Sequence, residues 1–409
     1  LGDAARLRDD AAANRDAYVE AGGELAAFGD AGLPRRTDVL VDALFGTGLE
    51  REVTGEWAEA VEAANRHPAP ILAIDIPSGL HADTGRILGT AVRSHTTVSF
   101  IGLKQGMFTC EGSECCGRIH FDGLEIPARV YGSQVISARR LDWSKQSQLV
   151  PPRRRNAHKG HFGHVLVVGG ARGLSGAARM AGEAAARAGA GLVSLATRPE
   201  HAALLSVARP ELMCHGVEAA SDLGPLLERA TVVAVGPGLG RSRWAGCLLG
   251  RVLESSLPMV VDADALNLLA DEPAVRPDWI LTPHPGEAAR LLGSSAARIQ
   301  ADRFSAAREL QARFGGVTVL KGAGTLVETG GTRPPGVCTE GNPGMASGGM
   351  GDLLTGIIAG LLAQGLELED AAEAGVCLHG AAADRAALAG ERGLLATDLL
   401  PEIRRLVNP

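Results

Sequence analysis

The residues of this chain best suited to chemistry lie in one stretch, Gly341-Asn-Pro-Gly-Met-Ala-Ser-Gly-Gly-Met-Gly-Asp352, followed by the apolar run Leu353 to Gly360. Glycines let successive backbone N–H groups converge on one point, and a helix starting there adds partial positive charge. Such a nest suits phosphate oxygens, and Gly348, Gly349 and Gly351 are its expected phosphate contacts. Asp352 is out of place beside phosphates unless it takes a proton from a hydroxyl attacking a phosphoryl group. The other reading is a tight turn with Asp352 as an ordinary helix cap. A second glycine cluster, Lys321-Gly322-Ala323-Gly324-Thr325, offers backbone N–H groups, a hydroxyl and a charge to nucleotide phosphates. His284 stands between Pro283 and Pro285, which would hold its imidazole on a stiff loop. Asp262 and Asp264 straddle a strand end, where at most one is expected to face a ligand. Further toward the N-terminus, Asp42 and Asp75 each end an apolar run, and Ser78 follows Asp75 by three residues. Carboxylate, hydroxyl and loop carbonyl oxygens together suit a hard cation.

The elements that must position these groups alternate. Over 1–129, helical stretches (Asp9 to Ala21, Glu56 to Asn65) alternate with short apolar strands at Val39, Pro70 and Thr96. Residues 130–155 read as a polar connector closing in Pro151-Pro-Arg-Arg-Arg-Asn156. Over 156–409 the pattern restarts, with strands at His164, Thr231, Pro258, Trp279 and Gly316, each running into a glycine-rich or polar loop. Short apolar strands alternating with helices mean mostly parallel sheets, which bind ligands beyond the C-terminal ends of their strands. The 409 residues are too many for one ordinary core, so two α/β domains are expected. A net charge of −7 and 3% aromatic residues argue against nucleic acid as a partner. No apolar run approaches the length of a membrane span. Seven cysteines form no disulfide framework, and Cys110, Cys115 and Cys116 lack a second pair at zinc spacing, so a reducing cytoplasm is expected.

The order of motifs resembles a known family. Gly236-Pro-Gly-Leu-Gly240, Val261-Asp-Ala-Asp-Ala-Leu-Asn267, Leu281-Thr-Pro-His-Pro-Gly-Glu287, Lys321 to Thr325 and the nest ending in Asp352 are similar to those of nucleotide-dependent NAD(P)H-hydrate dehydratases, over about residues 140–405. Val41-Asp-Ala-Leu-Phe-Gly-Thr-Gly-Leu49 and Asp75-Ile-Pro-Ser-Gly79 resemble the NAD(P)H-hydrate epimerase often fused ahead of that dehydratase. The resemblance implies a partial Rossmann-like epimerase domain followed by a ribokinase-like α/β domain, and a homo-oligomer. It implies that NADHX or NADPHX, hydrated at C6 of the nicotinamide, meets Ala177, Gly238, His284 and Asp352. It implies ADP or ATP with Mg2+ at Lys321, Gly322, Ala323, Gly324, Thr325, Gly348, Gly349 and Gly351. In the epimerase half it implies hydrate contacts from Gly46, Thr47, Gly48, Leu49 and Asp75, and a potassium ion on Asp42 and Ser78. The chemistry implied is phosphorylation of the C6 hydroxyl, then loss of phosphate, with AMP as the other product from ADP. Asp352, kept ionised by the helix N-terminus, would be the base. The chain departs from the epimerase pattern in lacking an Asn-Asn-Gly-Gly-Asp loop and in starting at Leu1. A fragment with an incomplete, inactive epimerase half is therefore expected. The alternatives are a ribokinase-like hydroxyl kinase releasing a stable ester, and a nucleotide sensor, for which Asp352 would have no use.

Overall fold

The computed structural model describes residues 1, 7–29, 32–34, 36–331 and 333–408. They form two compact units, Leu1–Met107 with Glu111–Ser133, and Phe108–Cys110 with Gln134–Pro409.

The first unit holds a four-stranded parallel sheet, β1 (Leu40–Asp42), β2 (Ile71–Ile74), β3 (Thr96–Phe100) and β4 (Arg118–Asp122), in that order. The Glu56–Arg66 helix buries Ala60 and Val61, and Val61 packs with Leu49, Val53, Ile71, Leu88 and Val92. β4 has one exposed end residue after another, lacks the apolar run that betrayed the other strands, and was not legible in the sequence.

The second unit is built on a ten-stranded sheet. Its strands are β5 (Arg139–Leu141), β6 (His164–Val168), β7 (Leu192–Thr197), β8 (Met213–Gly216), β9 (Val232–Val235), β10 (Met259–Val261), β11 (Trp279–Leu281), β12 (Val317–Leu320), β13 (Thr325–Glu328) and β14 (Gly336–Cys338). The spatial order is β5-β14-β13-β12-β11-β10-β9-β6-β7-β8. From β12 to β8 every pairing is parallel, whereas β13 is antiparallel to both β12 and β14. The chain winds outward from β6 in one direction and from β9 in the other, so the topological switch lies between them. Part of the stretch read as a connector is a strand: β5 pairs with β14, and Arg139 forms an ion pair with the buried Glu373. Its polar residues hid it, because an edge strand held by ion pairs needs no apolar run.

Against one face of this sheet lies the Met350–Ala363 helix. Twelve of its fourteen residues are buried, so it is apolar all round and forms the centre of a layer. It crosses the Ser175–Ala188 helix at close range. A Cβ on Gly356 would meet the Ala181 carbonyl oxygen at 2.0 Å, and one on Gly360 would meet that of Ala185 at 2.6 Å. Small residues on both helices permit this approach and fix where the N-terminus of the Met350–Ala363 helix sits above the sheet edge.

Candidate active site

The C-terminal ends of β12, β11, β10, β9 and β6 line one edge of the sheet, and the polar residues found in the sequence follow them in turn. After β10, Asp262 is almost fully buried. Its Oδ1 accepts from Lys321 Nζ at 2.6 Å and its Oδ2 from Thr355 Oγ1 at 2.8 Å. This ties the end of β10 to the residue after β12 and to the central helix. Lys321 Nζ also lies 3.8 Å from Glu287 Oε2. Burial disfavours the ammonium, but Asp262 and Glu287 outweigh it and raise its pKa, so Lys321 stays charged.

Asp264 departs from the expectation that only one of the two acids faces the site. Ala263 takes φ 49° and the chain enters the Ala263–Asp271 helix at once, so strand alternation no longer applies. Asp264 Oδ2 accepts from Gly240 N at 2.8 Å, and both Asp262 and Asp264 repel charge on Asp352.

Asp352 lies in the first turn of its helix and is not the cap, since Gly349 holds that position at φ 94°. The expectation that the helix N-terminus keeps Asp352 fully ionised is corrected here. Burial first, and then Asp262 and Asp264, push its pKa up to about 7 against the pull of Lys321. A carboxyl near neutrality is a far better base than an ordinary aspartate.

The glycines of the nest divide into two kinds. Around Gly348 a Cβ would find open space. On Gly349 it would meet Met180 Cε at 2.7 Å and Ala396 Cβ at 3.1 Å, and on Gly351 it would lie 3.3 Å from Lys321 Nζ. Gly349→Ala is therefore expected to cost about 1–2 kcal/mol, the usual penalty of left-handed backbone in a residue with a Cβ. Gly348→Ala should stay within about 0.5 kcal/mol of wild type. Urea unfolding of both variants checks the contrast.

In the loop from β12 to β13, Gly322 (φ 142°) and Gly324 (φ 64°) take conformations that favour glycine. Gly322 and Ala323 are exposed. The Thr325 hydroxyl donates to the Gly322 carbonyl at 3.0 Å, and Lys321 faces carboxylates. Both groups that the sequence offered to phosphates thus have partners within the protein, while the loop's exposed backbone remains available. His284 is held by its own helix as well as by its prolines. Its Nδ1 accepts from Gly286 N at 2.9 Å and Glu287 N at 3.3 Å, and Glu287 Oε2 accepts from His284 N at 2.8 Å. This reciprocal cap fixes a ring whose side chain is still 53% exposed. At the switch point, Ala171 N donates to Gly238 O at 2.6 Å, and a Cβ on Gly238 would lie 3.1 Å from Ala177 Cβ. The two residues are neighbours in the crevice between β6 and β9.

In the first unit, Asp42 is buried. Its Oδ1 accepts from Ser78 Oγ at 2.6 Å and its Oδ2 from Ser78 N at 2.8 Å. The Phe45 carbonyl lies 3.3 Å from Ser78 Oγ. Burial raises the Asp42 pKa more than these bonds lower it. Three oxygens of different kinds thus converge, a donor set that suits a hard monovalent cation. Gly46, Thr47 and Gly48 are exposed, but the Leu49 side chain is buried in the core, leaving only its backbone for any ligand. Asp75 takes φ 69° and accepts from Lys104 Nζ and from Phe100 N at 3.1 Å.

Sequence reasoning missed the roles of Glu287, Thr355 and Lys104. Lys104 follows the Ile101-Gly102 turn after β3, so it had the same signal of a polar residue past a strand end that marked Asp42 and Asp75. Thr355 carried no signal, because nothing along the chain relates it to Asp262.

Comparison with known proteins follows this division. Residues 165–405 match the NAD(P)H-hydrate dehydratase family and residues 1–106 the family of the YjeF-related protein N-terminus. The chain is 55% identical over 373 residues to the bifunctional NAD(P)H-hydrate repair enzyme Nnr of Coxiella burnetii, covering 91% of this chain and 76% of that one. It is 48% identical over 406 residues to the enzyme of the same name from Escherichia coli K12, covering 98% and 78%. This chain belongs to the bifunctional NAD(P)H-hydrate repair enzymes. Its second unit is the dehydratase domain and its first the epimerase-related domain. A solved ribokinase-like superfamily protein from Enterococcus faecalis superposes with a TM-score of 0.62 at 30% identity, covering 67% of this repair enzyme and 96% of that chain. The ADP/ATP-dependent NAD(P)H-hydrate dehydratase of Bacillus subtilis, co-crystallised with ATP and Mg2+, gives 0.61 at 29% identity, covering 67% and 100%. Among the described residues, no helix is long and apolar enough to cross a membrane.

Proposed function

We propose that the second unit uses ADP or ATP to phosphorylate the C6 hydroxyl of NADHX or NADPHX, and that loss of the phosphate regenerates NADH or NADPH. The observation that carries this reading is Asp352. It combines a pKa of about 7, a place in the first turn after the glycine nest, and a position beside Lys321 at the ligand edge of the sheet. Asp352 takes the hydroxyl proton as the C6 oxygen bonds to the transferred phosphorus and the nucleotide's bridging oxygen leaves. The exposed backbone at Gly348 and at Gly322–Ala323 holds phosphoryl oxygens, which costs no reorganisation as charge moves. Hydroxide is a poor leaving group and phosphate a good one. The lone pair of the ring nitrogen then expels phosphate from C6, and loss of a proton from C5 restores the dihydropyridine. Ala177 and Gly238, being small and adjacent in the crevice, leave room for the hydrate, and His284 borders it. Asp262 and Asp352 flank the Lys321 ammonium, and Asp264 lies near enough to act on Asp352, so the three carboxylates offer hard oxygen donors of the kind that suit Mg2+. Bound with the nucleotide there, Mg2+ would neutralise phosphate charge.

For the first unit we propose an epimerase-related site, with Asp75 and the Gly46–Leu49 loop against the hydrate and potassium held by Asp42, Ser78 and the Phe45 carbonyl; without the Asn-Asn-Gly-Gly-Asp loop the chain as given should not accelerate epimerisation at C6 above its spontaneous rate. We place the enzyme in the cytoplasm, where its dinucleotide substrates arise, as a homo-oligomer.

The test is to incubate hydrated NADH with the protein and ADP or ATP while following NADH absorbance and free phosphate together. Equal gains in both are expected. Nucleotide consumption yielding a stable phosphorylated hydrate and no NADH would make this a hydroxyl kinase instead. The reading also predicts a pH profile. The base must be ionised, so kcat/KM should fall about tenfold per pH unit below about 7. Asp262→Asn removes a like charge and releases Lys321 toward Asp352. Both changes lower the Asp352 pKa, so the acid limb should move to lower pH. A limb that stays in place, or moves up, would contradict the arrangement.

A further inference from the structure

A second group of chemistry-bearing side chains, outside the set assigned to phosphoryl transfer, converges in the second unit. Cys338 is the last residue of β14, Glu340 follows it by two, and Cys377 lies mid-way along the Leu368–Ala386 helix. One donor atom from each lies within 4.8 Å of the other two. Both thiols are buried, and they hydrogen-bond to each other. The Glu340 carboxylate is fixed in place, because both of its oxygens lie 3.0 Å from the Trp143 backbone nitrogen. The surroundings are rich in anions. Asp384 and Asp142 oppose charge on Glu340 while Arg140 favours it. Asp384 is already committed to Gly341 N at 3.0 Å and Asn342 Nδ2 at 2.9 Å, and Asp142 to the N–H of Lys145 at 3.0 Å.

We propose that Cys338, Cys377 and Glu340 form a binding site for a soft divalent cation of the zinc class. Two sulfurs and one carboxylate oxygen supply three of the four donors that zinc takes, at about 2.3 Å to thiolate and about 2.0–2.2 Å to carboxylate, and a water would complete the set. Those bond lengths put tetrahedral donors roughly 3.5–3.8 Å apart, so donors that lie within 4.8 Å of one another need to close by up to about 1.3 Å. Thiolate donors select against Mg2+ and K+, which prefer oxygen. On binding, the thiols release their protons to water and the carboxylate any proton it carries, so the buried anions gain the cation their surroundings favour. The ion would tie β14 to the Leu368–Ala386 helix one residue before Gly341, where the glycine nest begins. The competing state is a neutral thiol pair filling the core.

The test uses the full chain, reduced and freed of metal, with Zn2+ or Co2+ alone. About one Zn2+ per chain should survive passage over a chelating resin. Co2+ should give a thiolate-to-cobalt charge-transfer band. Cys338→Ser and Cys377→Ser should each lose the retained zinc and the band, and Glu340→Gln should weaken retention while keeping the band. Zinc retention and the cobalt spectrum are read on the unaltered protein, so they decide the matter even if a core variant fails to fold. Absence of retained zinc, or bound Co2+ without a thiolate band, would overturn the proposal.

Discussion

Asp352→Asn is expected to abolish turnover of hydrated NADH while leaving ADP binding within a few-fold of wild type. The substitution keeps shape and removes the carboxylate proposed to accept the hydroxyl proton. Loss of a general base costs typically about 10²–10⁴-fold. Two features of the structure argue for the upper part of that range. Asp352 is held near pKa 7 by burial and by Asp262 and Asp264, so its basicity exceeds that of any water that might replace it. The neighbouring Lys321 is engaged by Asp262 at 2.6 Å and cannot serve as a base while charged. ADP affinity should persist because the expected phosphate contacts are backbone groups that the substitution leaves unchanged. Rates would be followed by NADH absorbance and affinity by calorimetric titration. More than about a tenth of the wild-type rate would be too much for loss of a base and would end the assignment.

The second large effect concerns the helix that carries Asp352. Gly356→Val should destabilise the second unit by at least about 3 kcal/mol, at or beyond the upper end of ordinary overpacking. A Cβ there would lie 2.0 Å from the Ala181 carbonyl oxygen and 2.9 Å from Ala184 Cβ. Backbone cannot swing aside as a flexible side chain can, so the two helices must separate and expose apolar surface along their length. For a unit of this size that loss lowers Tm by about 6–12 °C, out of a total stability of about 5–15 kcal/mol. Gly250→Ala is the matched control. Gly250 lies within the Arg243–Leu253 helix with nothing within 4 Å of its Cβ position, so alanine should stabilise it slightly. Thermal unfolding followed by circular dichroism checks both. A Gly356→Val protein melting within about 2 °C of wild type would mean the helices do not pack as described.

Much was legible along the chain, for definite physical reasons. Short apolar runs followed by a glycine-rich or polar loop marked β1, β2, β3, β6, β9, β10, β11 and β12, because a buried parallel strand must be apolar and its C-terminal loop must turn sharply. The nest and Asp352 were visible because glycine spacing and a lone acid are local properties. Sequence also separated the two halves, since each repeats its own alternation and carries its own ordered motifs. The strands β4 and β5 were hidden by their polar residues, and β7, β8, β13 and β14 were not read from the sequence either.

Tertiary structure alone decided how the acids behave. Asp262, Glu287, Lys321, Asp352 and Thr355 come from four separate segments, and burial together with the charges that packing brings beside them, not any local pattern, decides how Glu287, Lys321 and Asp352 titrate. The helix N-terminus argued for a fully ionised Asp352, but desolvation and two carboxylates brought from the end of β10 prevail. Likewise the 38 residues between Cys338 and Cys377 show nothing of their contact. Local sequence fixes what a side chain is and which way its own element turns it. Its pKa and its partners depend on burial and on charges that only packing brings within reach.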